Sequence, residues 1–96
     1  MLLAASLLFA ACDKKEDSVT ENGTVIQIGD ATGCAFIINL DSGQKIEPIN
    51  QETEKIKPFM VNNRRVSVDY RIQKDWPSPC QNATSAEIVD IRSSGQ

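Results

Sequence analysis

The residue types that carry most enzyme chemistry are scarce in this chain. It contains no histidine, which removes the commonest general base. It also contains no glycine-rich phosphate loop, no serine nucleophile elbow and no spaced acidic metal triad. Two carboxylate pairs, Asp69 with Asp75 and Glu52 with Glu54, are candidates for acid and base catalysis. On a strand face and in a charged turn, such residues are usually solvated surface groups. We therefore expect no enzyme activity, no catalytic residue and no cofactor.

Three cysteines, at positions 12, 34 and 80, are the remaining reactive groups. Neither Cys34 nor Cys80 belongs to a C-x-x-C pair. A zinc site normally combines cysteine with histidine or with further cysteines. A metal site is therefore the weaker interpretation of this pair, and we expect no bound metal. The rival interpretation, a disulfide, depends on the compartment in which the chain folds.

The first eleven residues are uncharged and almost wholly apolar, and they end in Ala10 and Ala11 directly before Cys12. The run is shorter than the about 20 apolar residues that span a membrane. It has the apolar core and small-residue cleavage site of a signal peptide. No Lys or Arg precedes it, as expected if the true start lies upstream of Met1. Small residues followed by cysteine resemble the lipobox of bacterial lipoproteins, in which the cysteine is lipidated and begins the mature chain. The alternative is an ordinary secretion signal with a chance cysteine.

The resemblance implies a protein anchored by lipid on Cys12 to a bacterial membrane, on the periplasmic side or at the cell surface. Residues 13 to 22 are polar and charged, with too little apolar surface to fold. We therefore expect a signal peptide at 1–11, the lipidated cysteine and a flexible tether at 12–22, a domain at 23–93, and a tail at 94–96. In an oxidising envelope compartment, Cys34 and Cys80 are expected to form a disulfide.

The domain sequence consists of short β-branched or alternating segments separated by turns, a pattern typical of strands. Strands are predicted at 24–28, 35–40, 45–49, 64–72 and 87–92. The fourth is the clearest, because its alternating apolar residues are expected to face the core: Val66, Val68, Tyr70 and Ile72. Pro48 lacks a backbone donor, so the third strand should lie at an edge or stop early. Residues 51–57, ahead of Pro58, predict a single helical turn.

Five strands with an interruption between the third and fourth predict an all-β, five-stranded OB-like barrel. In a plain meander, the loops after strands one and four lie at opposite ends of the sheet, and Cys34 could not meet Cys80. A crossover through residues 50–63 brings both loops to one rim. The crossover and the disulfide therefore support each other. The domain resembles small OB-fold-like lipoproteins of Gram-negative bacteria in strand order and in the Gly33-Cys34 pair that opens strand two.

OB folds bind ligands on the face of strands two and three, between two rim loops. The candidate ligand residues are therefore Trp76 and Arg71 near one loop, with Asp30 and Thr32 opposite. For Trp76 the alternative is a lid that packs on a thin barrel. Nucleic acid is not an expected partner, because residues 19 to 96 carry eight basic and ten acidic side chains. Phosphate binding requires a positive surface.

Three classes of function remain. The leading one is a non-catalytic, monomeric binding or accessory module at the membrane, with an envelope protein or a glycan as its partner. The second is a structural or envelope-assembly lipoprotein that works by position alone. The third is an unrecognised enzyme.

Overall fold

The computed structural model describes residues 18–29 and 33–94. Five strands make up most of this part of the chain. They are β1 (Val19–Gln27), β2 (Phe36–Leu40), β3 (Lys45–Pro48), β4 (Arg65–Ile72) and β5 (Thr84–Ser93). A 3-10 turn at Lys57–Phe59 lies between β3 and β4. This turn falls at the end of the predicted 51–57 segment and includes Pro58, which is tolerated in a first helical turn.

The strands close into a barrel in the order β1-β2-β3-β5-β4. β3 and β5 are parallel, whereas the other neighbouring pairs are antiparallel. A parallel neighbour requires a crossover connection, and residues 49–64 provide it by carrying the chain from β3 past β5 to β4. The predicted five-stranded OB-like barrel and its crossover are confirmed.

β1 is longer than predicted, and it closes the barrel by pairing with both β2 and β4. Its first half pairs with β4, its second half pairs with β2, and Gly23 faces both Leu40 and Val66. A Cβ at Gly23 would lie 2.9 Å from the Asn39 carbonyl oxygen. Glycine therefore allows the close approach of three strands at this point.

The predicted boundary of the tether at residue 22 is wrong, because β1 begins at Val19. The segment from Val19 to Asn22 is polar, and only its pairing with β4 makes it a strand. The hydroxyl of Tyr70 donates a 3.0 Å hydrogen bond to Glu21, and Thr20 donates one of 2.7 Å to Asp69. Burial and the neighbouring Glu21 carboxylate raise the pKa of Tyr70 to about 12.

The main core lies inside the barrel and draws on every strand and on the crossover. Its buried residues are Val25, Ile38, Leu40, Ile46, Ile56, Met60, Val66, Val68, Tyr70, Ala86, Ile88 and Ile91. The fourth strand therefore faces inward as predicted, with one exception. Ile72 is exposed, because β4 ends there at the margin of the barrel.

An ion pair connects the start of β4 to the β2–β3 turn on the outer surface of the barrel. The Arg65 guanidinium donates two hydrogen bonds to Asp41, of 2.8 and 2.9 Å. These bonds lower the pKa of the Asp41 carboxyl and raise that of Arg65. Arg65 is thus part of a structural ion pair on the outer face of β4.

Candidate ligand cleft

The loops after β1 and β4 are joined covalently, as predicted. The prediction that both loops lie at one rim is wrong, because β1 and β4 are antiparallel neighbours and their C-terminal ends lie at opposite ends of the barrel. Cys34, in the segment between β1 and β2, forms a disulfide with Cys80 in the loop between β4 and β5. Their Cα atoms lie 4.9 Å apart, and the two cysteines are 46 positions apart in the sequence. Both are buried. The β4–β5 loop therefore runs across the outside of the barrel to reach the other loop.

This loop covers part of the face on which OB folds bind their ligands. The disulfide packs with Ile37 in a second, smaller core, against which Ile26 and Ala83 also pack. Ile26 and Ile37 are register partners in β1 and β2, and their strand neighbours Val25 and Ile38 belong to the main core. Since successive side chains alternate between faces, the small core lies on the outside of the barrel. The chain thus occupies the β1–β2 half of the face itself.

The open part of that face is a cleft over β3. Its volume is about 220 Å³. The walls come from the β1–β2 segment, from β3 and the residues after it, and from the β4–β5 loop. The lining residues are Gly33, Ala35, Glu47, Pro48, Ile49, Gln51, Glu52, Trp76, Pro77 and Pro79. This is the region that the fold predicted for a ligand.

Trp76 forms the aromatic wall of the cleft. Its side chain is exposed, with 57% of its surface accessible, and it belongs to neither core. The alternative prediction, a Trp packed as a lid on the barrel, is therefore wrong. The backbone N–H of Trp76 donates to the Gln73 carbonyl at 3.1 Å, and the Gln73 N–H donates to Ser85 of β5 at 2.9 Å. The tryptophan is exposed, yet its backbone is tied to the sheet.

Gln51 links the strands at the base of the cleft. Its side-chain nitrogen donates to the carbonyls of Pro48, at 2.9 Å, and Phe36, at 3.3 Å, while its oxygen accepts from the Phe36 N–H at 3.2 Å. Phe36 pairs with Gln27 of β1 on one side, but on the β3 side Pro48 has no N–H to donate and ends the strand. The buried amide of Gln51 takes the place of a strand partner on that side, and no pattern in the sequence indicated this role.

The polar wall of the cleft is acidic. Glu47 accepts a 2.6 Å hydrogen bond from the Ser78 hydroxyl, which in turn accepts one of 3.0 Å from the Cys80 N–H. Glu52 lies 3.8 Å from Lys57 in a solvent-exposed ion pair. No Lys or Arg occurs among the described lining residues. A ligand here meets hydrogen-bond acceptors and negative charge.

The two predicted ligand residues that the structure describes, Trp76 and Arg71, line different grooves. Trp76 lines the cleft, but Arg71 lines a different groove of about 490 Å³ with Val19, Ile72 and Gln73. There Arg71 donates a 3.1 Å hydrogen bond to the fifth lining residue, Glu87. Asp30 and Thr32 lie outside the described residues, as does Cys12.

Sequence reasoning missed the acidic wall. Glu47 alternates with Ile46 and Pro48, so the period of the strand places it on the outer face of β3. The alternation along β3 was sufficient to place Glu47 on this face. Glu52 lies at the cleft only because of the path that the crossover takes.

Within residues 18–29 and 33–94, no three His, Cys, Asp or Glu side chains come together as metal ligands. No helix in that part of the chain is long and apolar enough to cross a membrane. Comparison of the chain with protein-family models, curated proteins and solved structures finds no match.

Proposed function

We infer that the chain is a non-catalytic binding module of the bacterial envelope, anchored by lipid on Cys12 and recognising a protein or glycan in the cleft. The observation that carries this proposal is the exposed Trp76 on a loop fixed by the disulfide. Exposed aromatic side chains held rigidly in place are frequent anchors of binding interfaces. A braced loop also loses little conformational entropy when it binds.

The size of the cleft favours one unit of a polymer over a free small molecule. Its volume of about 220 Å³ is below the roughly 300–1,000 Å³ of typical small-molecule sites. One amino-acid side chain or one sugar ring fills such a space, while the rest of the polymer lies along the surface. This matches an accessory role on an envelope protein or glycan.

The charge of the cleft selects ligands that donate hydrogen bonds. Glu47 and Glu52 supply acceptors, and Trp76 supplies an aromatic ring. Sugar hydroxyls and protein ammonium or guanidinium groups fit this arrangement, and cations are also attracted to the Trp face. Phosphate-bearing ligands are disfavoured by the two carboxylates.

Trp76 is the only tryptophan in the chain, so its fluorescence reports on the cleft directly. We expect envelope glycan fragments or an envelope protein to change the emission of the Cys12→Ser chain on titration. Trp76→Ala should weaken binding, measured by calorimetry, by about 30-fold, the loss of a typical hot-spot residue. Thermal unfolding should be unchanged. Val89→Ala, an exposed substitution on β5, is the matched control.

Two results would refute ligand binding in the cleft. One is binding that survives Trp76→Ala unchanged, and the other is the absence of any emission change with both ligand classes. Cells that tolerate Trp76→Ala but not Cys12→Ser would support the structural or assembly role instead. Metabolic labelling with a fatty acid tests the anchor, because Cys12→Ser should abolish the label if Cys12 is lipidated.

A further inference from the structure

The groove around Arg71 marks the end of the barrel at which the chain enters. Val19 is the first residue of β1 and pairs with Tyr70, two residues before the end of β4 at Ile72. Both Val19 and Ile72 line the groove. We call this region the entry end, defined by Val19, Arg71, Ile72, Gln73 and Glu87.

The entry end exposes apolar side chains and balances its charges. Val19 has 47% of its surface accessible, and Ile72 has 36%. Among the described residues that line the groove, one side chain is basic and one is acidic. They pair with each other, Arg71 with Glu87 at 3.1 Å. Exposed apolar groups that lie together are typical of contact surfaces. Because these five residues carry no net charge, the surface that they form fits an apolar partner better than a charged one.

The length of chain before β1 determines which partner reaches this surface. Because β1 begins at Val19, only residues 13–18 separate it from Cys12. Six residues span at most about 20 Å. The nine residues of β1 are themselves about 27 Å long. A lipid on Cys12 would therefore hold the entry end near the membrane, at the high effective concentration that a short linker provides.

We propose that the entry end of the barrel rests on the lipid bilayer, with Val19 and Ile72 in contact with its interfacial region. The inference rests on the proposed lipid anchor at Cys12. Trp76 is linked to the entry end through its hydrogen bond with Gln73. The Trp76 wall of the cleft therefore lies beside the contact surface. The ligand of the cleft is met at the membrane surface.

The test places a single tryptophan at each end of the barrel in turn. In a Trp76→Phe background, Ile72→Trp puts the fluorophore at the entry end. Val61→Trp is the matched control, since Val61 is 46% exposed and lies at the other end. Its neighbours Asn62 and Asn63 bond to Gln27 and Val25, in the second half of β1.

The full-length lipidated variants are reconstituted into phosphatidylcholine vesicles with brominated acyl chains, which quench nearby tryptophan. Ile72→Trp should lose most of its emission and shift to the blue, while Val61→Trp keeps its emission. Adding Val19→Glu to the Ile72→Trp variant should restore much of the emission without releasing the protein. The neutral lipid is the appropriate probe because the entry end carries balanced charges.

Flotation of the same vesicles distinguishes the proposed lipid anchor from the proposed docking surface. Protein that floats, with Ile72→Trp quenched no more than Val61→Trp, overturns the docking surface and leaves the anchor standing. Protein that carries no lipid and does not float overturns the anchor and the docking surface together. Circular dichroism of each variant confirms that the comparison is made on folded protein.

Discussion

Reduction of the Cys34–Cys80 disulfide should remove a large share of the stability of the barrel. The bridge closes a loop with a sequence separation of 46. In the chain-entropy model, a loop of that length is worth about 4 kcal/mol at 25 °C. A domain of about 75 residues has a total stability of roughly 4–11 kcal/mol. The reduced protein should therefore be marginally stable, with a melting temperature lower by on the order of 15–30 °C.

Urea unfolding of the Cys12→Ser chain, with and without reductant, measures the effect. The reduced protein should unfold at a lower midpoint and with a steeper slope, because its unfolded state exposes more surface. The Cys34→Ala, Cys80→Ala double variant is the control, since reductant should leave its unfolding unchanged. Thiol titration establishes that reduction is complete. A loss of less than about 1 kcal/mol with both thiols free would refute the loop-closure reasoning.

Three further predictions concern the barrel itself. The raised pKa of Tyr70 implies that the folded chain keeps this proton to about pH 12, whereas the unfolded chain releases it near pH 10. The stabilisation is therefore complete below pH 10, and on the order of 3 kcal/mol is lost as the pH rises through about 12. Tyr70→Phe should remove that loss in urea titrations across this range. Gly23→Ala should destabilise by about 1–3 kcal/mol, since its Cβ meets backbone and side-chain atoms of β2 at 2.9 Å; an unchanged midpoint would contradict the crowding. Gln51→Leu leaves the Phe36 backbone groups unpaired and should cost about 2–3 kcal/mol, whereas the exposed Gln44→Leu should stay within about 0.5 kcal/mol of wild type.

Residues whose surroundings follow from local pattern were predicted correctly. Alternation along β4 placed Val66, Val68 and Tyr70 in the core, and the interruption before it predicted the crossover. Errors arose where contacts with residues distant in sequence determine the local structure. The first half of β1 is polar, so only β4 makes it a strand, a tertiary effect that overrides intrinsic propensity. Ile72 fits the alternation but lies beyond the covered part of the sheet.

The cleft was predictable in position but not in composition. The OB strand order predicts a cleft over β3 between two loops, and Trp76 was identified because it occurs in one of them. Arg71 was assigned to the same rim as Trp76 because the two residues are close in sequence. Its partner Glu87, on the adjacent strand, holds it in another groove. Gln51 and Glu52 arrive through the path of the crossover, which no local pattern encodes.

The long first strand also has a mechanical consequence. A pull applied through the chain before Val19, along the direction of β1, acts parallel to the strand. The hydrogen bonds between β1 and β4 run perpendicular to the strands, and the register between them extends from Val19 to Thr24. Such a load is shared by the whole ladder in shear, whereas a sideways pull would break the pairs one after another. The barrel is therefore expected to resist tension best when the force is aligned with the strand through which the chain enters.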